Sequence, residues 1–154
     1  MVDRDKIGLV SEPRAIVVEA GQLRFFAKAT GETDPIYFDE AAARDAGHRA
    51  IPAPPTFTFS LHLGAPARRG DIFTDFGVDM RRVLHGEQAF THHRMIYAGD
   101  TITLTTTTSD IYEKKNGALS FVVQDTQARN QHGELCTEMR VVTVVRNDAP
   151  VVAS

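Results

Sequence analysis

The hydrophobic pattern of this chain changes its period about halfway along, and no other feature limits its fold as strongly. A period near 3.6 residues marks an amphipathic helix, and a period of two marks a half-buried strand. In the first half, Ala15 to Glu19 reads as a short strand. From Gly21 to Thr30 the residues Leu23, Phe26, Ala27 and Thr30 share one helical face. Gly31-Glu32-Thr33-Asp34-Pro35 then breaks the helix, because proline disfavours helical geometry in the residue before it. Asp39 is a good N-cap for a second helix reaching about Ala46, and Gly47 is a natural stop. Ile51-Pro52-Ala53-Pro54-Pro55 is a stiff approach to Thr56–Leu63, TFTFSLHL, which carries no Asp, Glu, Lys or Arg. Alternation of Phe57, Phe59, Leu61 and Leu63 reads as a strand, whereas Pro55 permits a buried helix; so short a run leaves both open.

The second half alternates. Phe90, His92, Arg94 and Ile96 do so first, followed by Thr101 to Asp110. Asn116-Gly117 is a hairpin signal. Leu119 to Arg129 and Leu135 to Arg146 are two more long strands, joined by the turn Asn130-Gln131-His132-Gly133. Helices followed by an antiparallel meander predict an α+β fold with one sheet packed on helical segments. A chain of 154 residues without internal repeats is a single domain, with a core over about 8–146 and a tail at 147–154. Seventeen basic residues against twenty acidic ones, with no basic run, speak against a nucleic-acid binder. The lone cysteine, Cys136, excludes an internal disulfide and a cysteine metal site, and its strand-like setting reads as a small buried hydrophobe. No apolar run approaches the length of about 18 residues that a membrane helix needs. The N-terminal MVDRDKIGLVSEPR has no signal-peptide core, so the expected compartment is the cytoplasm.

The stretches AKATGETDPIYFDEAAARDAG, IPAPPTF, LHGEQAF, RMIYAGDTITL and DIYEKKNGALSFVV follow one another with short gaps. Together they resemble the MaoC-like dehydratases and hydratases, most closely their N-terminal-type domain, over about Phe26 to Arg146. The resemblance implies a hot-dog fold, an antiparallel sheet wrapped around a central buried helix supplied by TFTFSLHL. It also implies an acyl-thioester site interconverting (3R)-3-hydroxyacyl and trans-2-enoyl thioesters of coenzyme A or acyl carrier protein. These serve only as substrate carriers; no bound cofactor and no metal are expected.

Such chemistry needs a base for the weakly acidic α-proton, donors for the thioester oxygen, and an acid for the departing hydroxyl. Backbone N–H groups at the start of TFTFSLHL, around Pro55, Thr56 and Phe57, are candidate oxyanion donors, with Phe57 and Phe59 lining an acyl tunnel. In active family members the loop after the first helix reads G-D-x-N-P-(apolar)-H, with the Asp and His as the catalytic pair. Here it reads Gly31-Glu32-Thr33-Asp34-Pro35-Ile36-Tyr37, so Glu32 replaces the Asp and Tyr37 the His. A misplacement near 1 Å can cost roughly 10²-fold in rate, and a phenol with a free pKa of about 10 is a poor base. Glu32 and Tyr37 therefore read either as an altered catalytic pair or as a solvated loop acid and a packed aromatic. His85, in LHGEQ, is a further candidate to supply the missing imidazole, with Glu87 beside it against the substrate; alternatively it is an exposed loop histidine.

Some dehydratases of this group are heterodimers in which only one subunit carries the Asp/His pair, and this chain resembles the other kind. A homodimer, or a heterodimer with a second MaoC-like subunit bearing the pair, is the expected assembly. A hot-dog thioesterase using Glu32 to activate water, and a non-catalytic acyl-binding subunit, are the alternatives. Adjacent His92 and His93 on a strand face opposite ways, which argues against a shared metal. Asp71, Asp75 and Asp79 suit a loop, Thr105–Thr108 a solvated strand face, and 64–77 a flap or a connection.

Overall fold

The computed structural model describes residues 2–61 and 75–147, so Leu63, Asp71, most of the 64–77 loop and the tail from 148 lie outside the described residues. Five antiparallel strands form one sheet: β1 (Arg14–Val17), β2 (Val83–His92), β3 (Thr101–Lys114), β4 (Leu119–Arg129) and β5 (Leu135–Arg146). Their spatial order is β1-β3-β4-β5-β2. The long hairpins β3–β4 and β4–β5 form because turns of four and five residues connect alternating runs; Lys115, Asn116 and Gly117 all adopt positive φ in the first of them. The meander is thus three strands, β3, β4 and β5. β2 lies beside β5, at the far side of the sheet from β1, and the chain must cross β5 and β4 between β2 and β3. This is the hot-dog arrangement.

Among the described residues three α-helices precede the meander: α1 (Ala20–Thr30), α2 (Glu40–Asp45) and α3 (Phe57–Ser60). α1 buries Leu23 and Ala27 completely, with Phe26 packed beside them, while Thr30 is exposed and its hydroxyl donates to the Phe26 carbonyl at 3.0 Å. α2 begins where expected, since the Asp39 carboxylate accepts from the Ala42 N–H at 2.8 Å. The described part of TFTFSLHL, Thr56–Leu61, resolves the open choice in favour of a helix, the single turn Phe57–Ser60. Phe57, Thr58 and Leu61 are buried in it.

One face of the sheet is covered, and its apolar residues fall into two clusters. The first joins Ile102, Leu104 and Ala128 of the sheet to Leu23 of α1 and to Phe57 and Leu61 around α3, and it includes Cys136 as the small buried hydrophobe expected. The second joins Ile111, Val122 and Val145 to Val2, Phe76 and Val78. The threonine run corrects one expectation: Thr108 is 1% exposed, because it belongs to the covered face. His92 and His93 diverge as predicted, His92 toward the Thr137 hydroxyl and His93 toward the Glu138 carboxylate.

Candidate functional site

The loop carrying Glu32 and Tyr37 is fixed by turn chemistry at both ends. α1 stops at Gly31, whose φ of 79° is strained for any side chain with a Cβ. The Gly31 N–H then donates to the Lys28 carbonyl at 3.2 Å and the Glu32 N–H to the Ala27 carbonyl at 2.9 Å, which satisfies the helix end. Asp34 opens the next turn, accepting from the Ile36 N–H at 3.0 Å, with Pro35 preset for the first position. Asp34 is therefore a capping residue. Tyr37, at the end of that turn, is half-buried.

The electrostatics of Tyr37 follow from that packing. Burial raises its pKa above the ordinary phenol value, and the Glu32 and Asp34 carboxylates raise it further. The phenol is thus neutral at physiological pH, able to donate a hydrogen bond but not to accept a proton. The pair Glu32–Tyr37 offers one carboxylate beside one fixed donor, which differs in kind from an Asp/His pair.

α3 spans the gap between this region and the sheet edge. Phe57 and Phe59 stand about 200° apart at 3.6 residues per turn, so their rings leave the helix on opposite sides. Phe57 meets Phe26 of α1 edge-to-face, with ring centroids 5.5 Å apart. Phe59 meets the His85 ring on β2, also edge-to-face at 5.5 Å. Of the expected oxyanion donors, Pro55 has no N–H, and the Phe57 N–H already donates to the Pro54 carbonyl at 2.9 Å. The Thr56 amide remains, at a helix too short to develop a full macrodipole.

His85 is a strand residue, not a loop residue. It pairs with Thr143 across the β2–β5 ladder, whereas Glu87 pairs with Val142, so a β-bulge falls at Gly86. The bulge is reserved for glycine by sterics, since a Cβ there would lie 2.8 Å from the Val142 carbonyl oxygen and 2.9 Å from a Val144 methyl. Thr143 and Val142 are neighbours on β5 and face opposite ways, so Glu87 is carried to the outer face, away from His85 and Phe59. The structure thus brings together Glu32 with Tyr37, and Phe59 with His85, and separates Glu87 from both groups.

The outer face holds an open trough of about 670 Å³, lined by Thr105, Thr107, Gln127, Glu138 and their neighbours. Arg140 donates to Asp125 there at 2.7 and 2.9 Å, and these mutually satisfied polar groups suit an apolar chain poorly. Sequence reasoning missed the tie between the approach segment and β3. Asp100 is 1% exposed; its carboxylate accepts from Arg49, from the Tyr97 N–H at 2.9 Å and from Gln131 at 3.1 Å. Burial works to raise its pKa, but hydrogen bonds from Arg49, Tyr97 and Gln131, with the Arg49 charge, prevail and hold it below the usual carboxylate range. Arg49 also stacks on the Tyr97 ring at 4.4 Å. An acidic residue after a glycine at the start of a strand was the available signal. Among the described residues no helix is long and apolar enough to cross a membrane, and no group of three or more His, Cys, Asp or Glu side chains could hold a metal.

Residues 5–139 match the model of the FAS1-like dehydratase domain region. A UPF0336 protein of Thermobifida fusca is 34% identical over 151 residues, covering 97% of each chain. Another, from Streptomyces griseus, is 40% identical over 109 residues, 69% of this chain and 71% of that one. Among solved structures, the C-terminally truncated HadBC (3R-hydroxyacyl-ACP dehydratase) complex from Mycobacterium tuberculosis superposes with a TM-score of 0.75 at 28% identity, covering 91% of this chain and 97% of that one. The ChsH1–ChsH2 complex of the same organism gives 0.73 at 25% identity, covering 91% and 90%. A MaoC-like dehydratase shares the fold with a TM-score of 0.80 at 23% identity; the match covers 93% of this chain and 43% of that longer one.

Proposed function

This chain belongs to the family of the FAS1-like dehydratase region, with the hot-dog fold of the MaoC-like dehydratases, and from that premise we propose that it is one subunit of an (R)-specific acyl-thioester dehydratase or hydratase. In the reaction a base removes the α-proton of a (3R)-3-hydroxyacyl thioester, the C3–O bond breaks, and an acid delivers a proton so that the hydroxyl leaves as water. The product is a trans-2-enoyl thioester, on coenzyme A or acyl carrier protein, and hydration runs the same steps backwards.

The observation that carries the reading is the Gly31–Tyr37 loop. Its backbone is capped and fixed, yet the acid–base pair is replaced by Glu32 and a Tyr37 phenol held protonated. A fixed phenol and carboxylate can orient a ligand, but no imidazole stands in the loop to exchange protons. The missing pair belongs, in this reading, to a second hot-dog subunit. Two observations support that assembly. Among the described residues β2, a ten-residue strand, is paired on one side only, and it has no lysine or proline to protect its free edge. The HadBC and ChsH1–ChsH2 structures are both complexes.

The test is water addition to a short trans-2-enoyl-CoA by the purified full chain, alone and after mixing with a MaoC-like subunit that carries the Asp/His pair. Turnover only in the mixture is the expected result. Full turnover by the chain alone would give the chemistry to its own residues, and release of free thiol would instead make it a thioesterase.

A further inference from the structure

The two apolar clusters of the covered face do not meet in the middle of the sheet. Between them runs a belt of neutral polar side chains, traceable row by row through the strand register. One row is Thr106, Thr126, Met139 and Phe90; the next is Thr108, Gln124, Val141 and Gln88; the row after these, Ile111, Val122, Thr143 and His85, enters the second cluster through Ile111 and Val122. Most of the polar members serve one another. Thr106 and Thr126 share a hydrogen bond of 2.8 Å, and Gln124 donates to the Thr108 hydroxyl at 3.5 Å.

Gln88 is the exception. Its amide nitrogen and oxygen are both shut off from solvent and neither has a hydrogen-bonding partner, alone in this respect among the described residues. An unsatisfied buried amide is destabilising, and a strand gains nothing from it that methionine or leucine would not supply better. The residue sits three positions after His85, a spacing that would ordinarily put the two on opposite faces. The bulge at Gly86 adds the extra residue that brings them to the same face: His85 pairs with Thr143 and Gln88 with Val141, two residues apart on β5. Phe59 of α3 meets the His85 ring, so His85 and Gln88 lie on the face of β2 that α3 approaches, where an acyl group is expected.

We infer that Gln88 is a specificity residue, whose amide, placed beside His85 by the Gly86 bulge, hydrogen-bonds the C3 hydroxyl of the acyl ligand. This rests on the acyl-thioester reading above and adds the group that tells a hydroxyacyl chain from a saturated one. The hydroxyl both donates and accepts, as does the unpaired amide. The two belt rows and the row of His85 contain no Asp, Glu, Lys or Arg, which suits an uncharged group. Gln88 as a whole is only half-buried, so rotation about its side-chain bonds can turn the amide to the ligand.

The experiment measures the dissociation constants of (3R)-3-hydroxyoctanoyl-CoA and octanoyl-CoA for the full chain and for Gln88→Met, with a thermal melt of each. The wild type is expected to favour the hydroxyacyl ligand by about tenfold, the worth of one well-placed hydrogen bond. In Gln88→Met that preference should vanish through weaker hydroxyacyl binding alone, octanoyl-CoA binding unchanged, with a melting temperature equal to or above that of the wild type. A preference that survives the substitution, or a wild type that binds both ligands equally, overturns the inference while leaving the acyl-thioester reading intact. A drop of several degrees in the melt also overturns it, since Gln88 would then have a structural partner. Failure of the wild type to bind either ligand removes the acyl-thioester reading and the inference together.

Discussion

Replacing Gly86 by alanine tests the geometry on which the site depends. The added Cβ would stand 2.8 Å from the Val142 carbonyl oxygen and 2.9 Å from a Val144 methyl, both nearer than a Cβ tolerates. The methyl could turn aside, but the carbonyl belongs to the β2–β5 ladder and moves only with the strand. Relief therefore requires β2 to shift by several tenths of an ångström, or the bulge to flatten. Overpacking of this kind costs about 1–3 kcal/mol, and a backbone clash belongs in the upper half of that range. At roughly 2–4 °C per kcal/mol for a domain of this size, the melting temperature should fall by about 5–10 °C. If the bulge flattens, His85 or Gln88 changes face, and the ligand preference should disappear with the stability. Gly21→Ala is the matched control, since nothing lies within 4 Å of a Cβ there and its backbone is helical. That change should leave the melt unchanged or raise it slightly. A Gly86→Ala protein melting within about 1 °C of the wild type would refute the close approach, because no relaxation that small relieves the clash.

Asp100→Asn should destabilise the protein by about 2 kcal/mol at neutral pH, less than a fully buried pair would give because Arg49 is half-exposed and can re-solvate. The folded pKa of Asp100 is depressed, so its contribution is complete above the unfolded value of about 4 and is lost as the pH falls through the lower folded value. Urea melts should accordingly show the wild type and variant converging in acid below about pH 4; a constant gap would contradict the assignment. Glu32→Gln, assayed in the mixed complex, should leave kcat within a few-fold of wild type, whereas a loss near 10²-fold would make Glu32 the base. Cys136 is fully buried and its thiol is pushed up, by burial above all, so a thiol reagent should modify it only in denaturant. Rapid labelling of the native chain would show that its surroundings open.

The sequence by itself determined whatever depends on near neighbours. Gly31, Asp34 and Asp39 end and begin their turns through contacts within five residues, so their roles could be read directly. β4 and β5 occupy the runs their alternation predicts, because alternation is the imprint of a sheet with one covered face. The resemblance likewise set Glu32 and Tyr37 where active family members carry an Asp/His pair. What the local pattern did not contain was the choice of partner. β2 lies beside β5, a pairing between residues more than forty positions apart, and no turn signal encodes it. Thr108 looked solvated because its neighbours are threonines, yet the register sets it on the covered face. The ties from Arg49 to Asp100 and from Phe59 to His85 likewise join distant segments. Within LHGEQ, nearness in sequence set Glu87 beside His85; the bulge at Gly86 puts His85 and Gln88 on one face and Glu87 on the other. A side chain's face follows from the strand opposite, and only the tertiary structure supplies that strand.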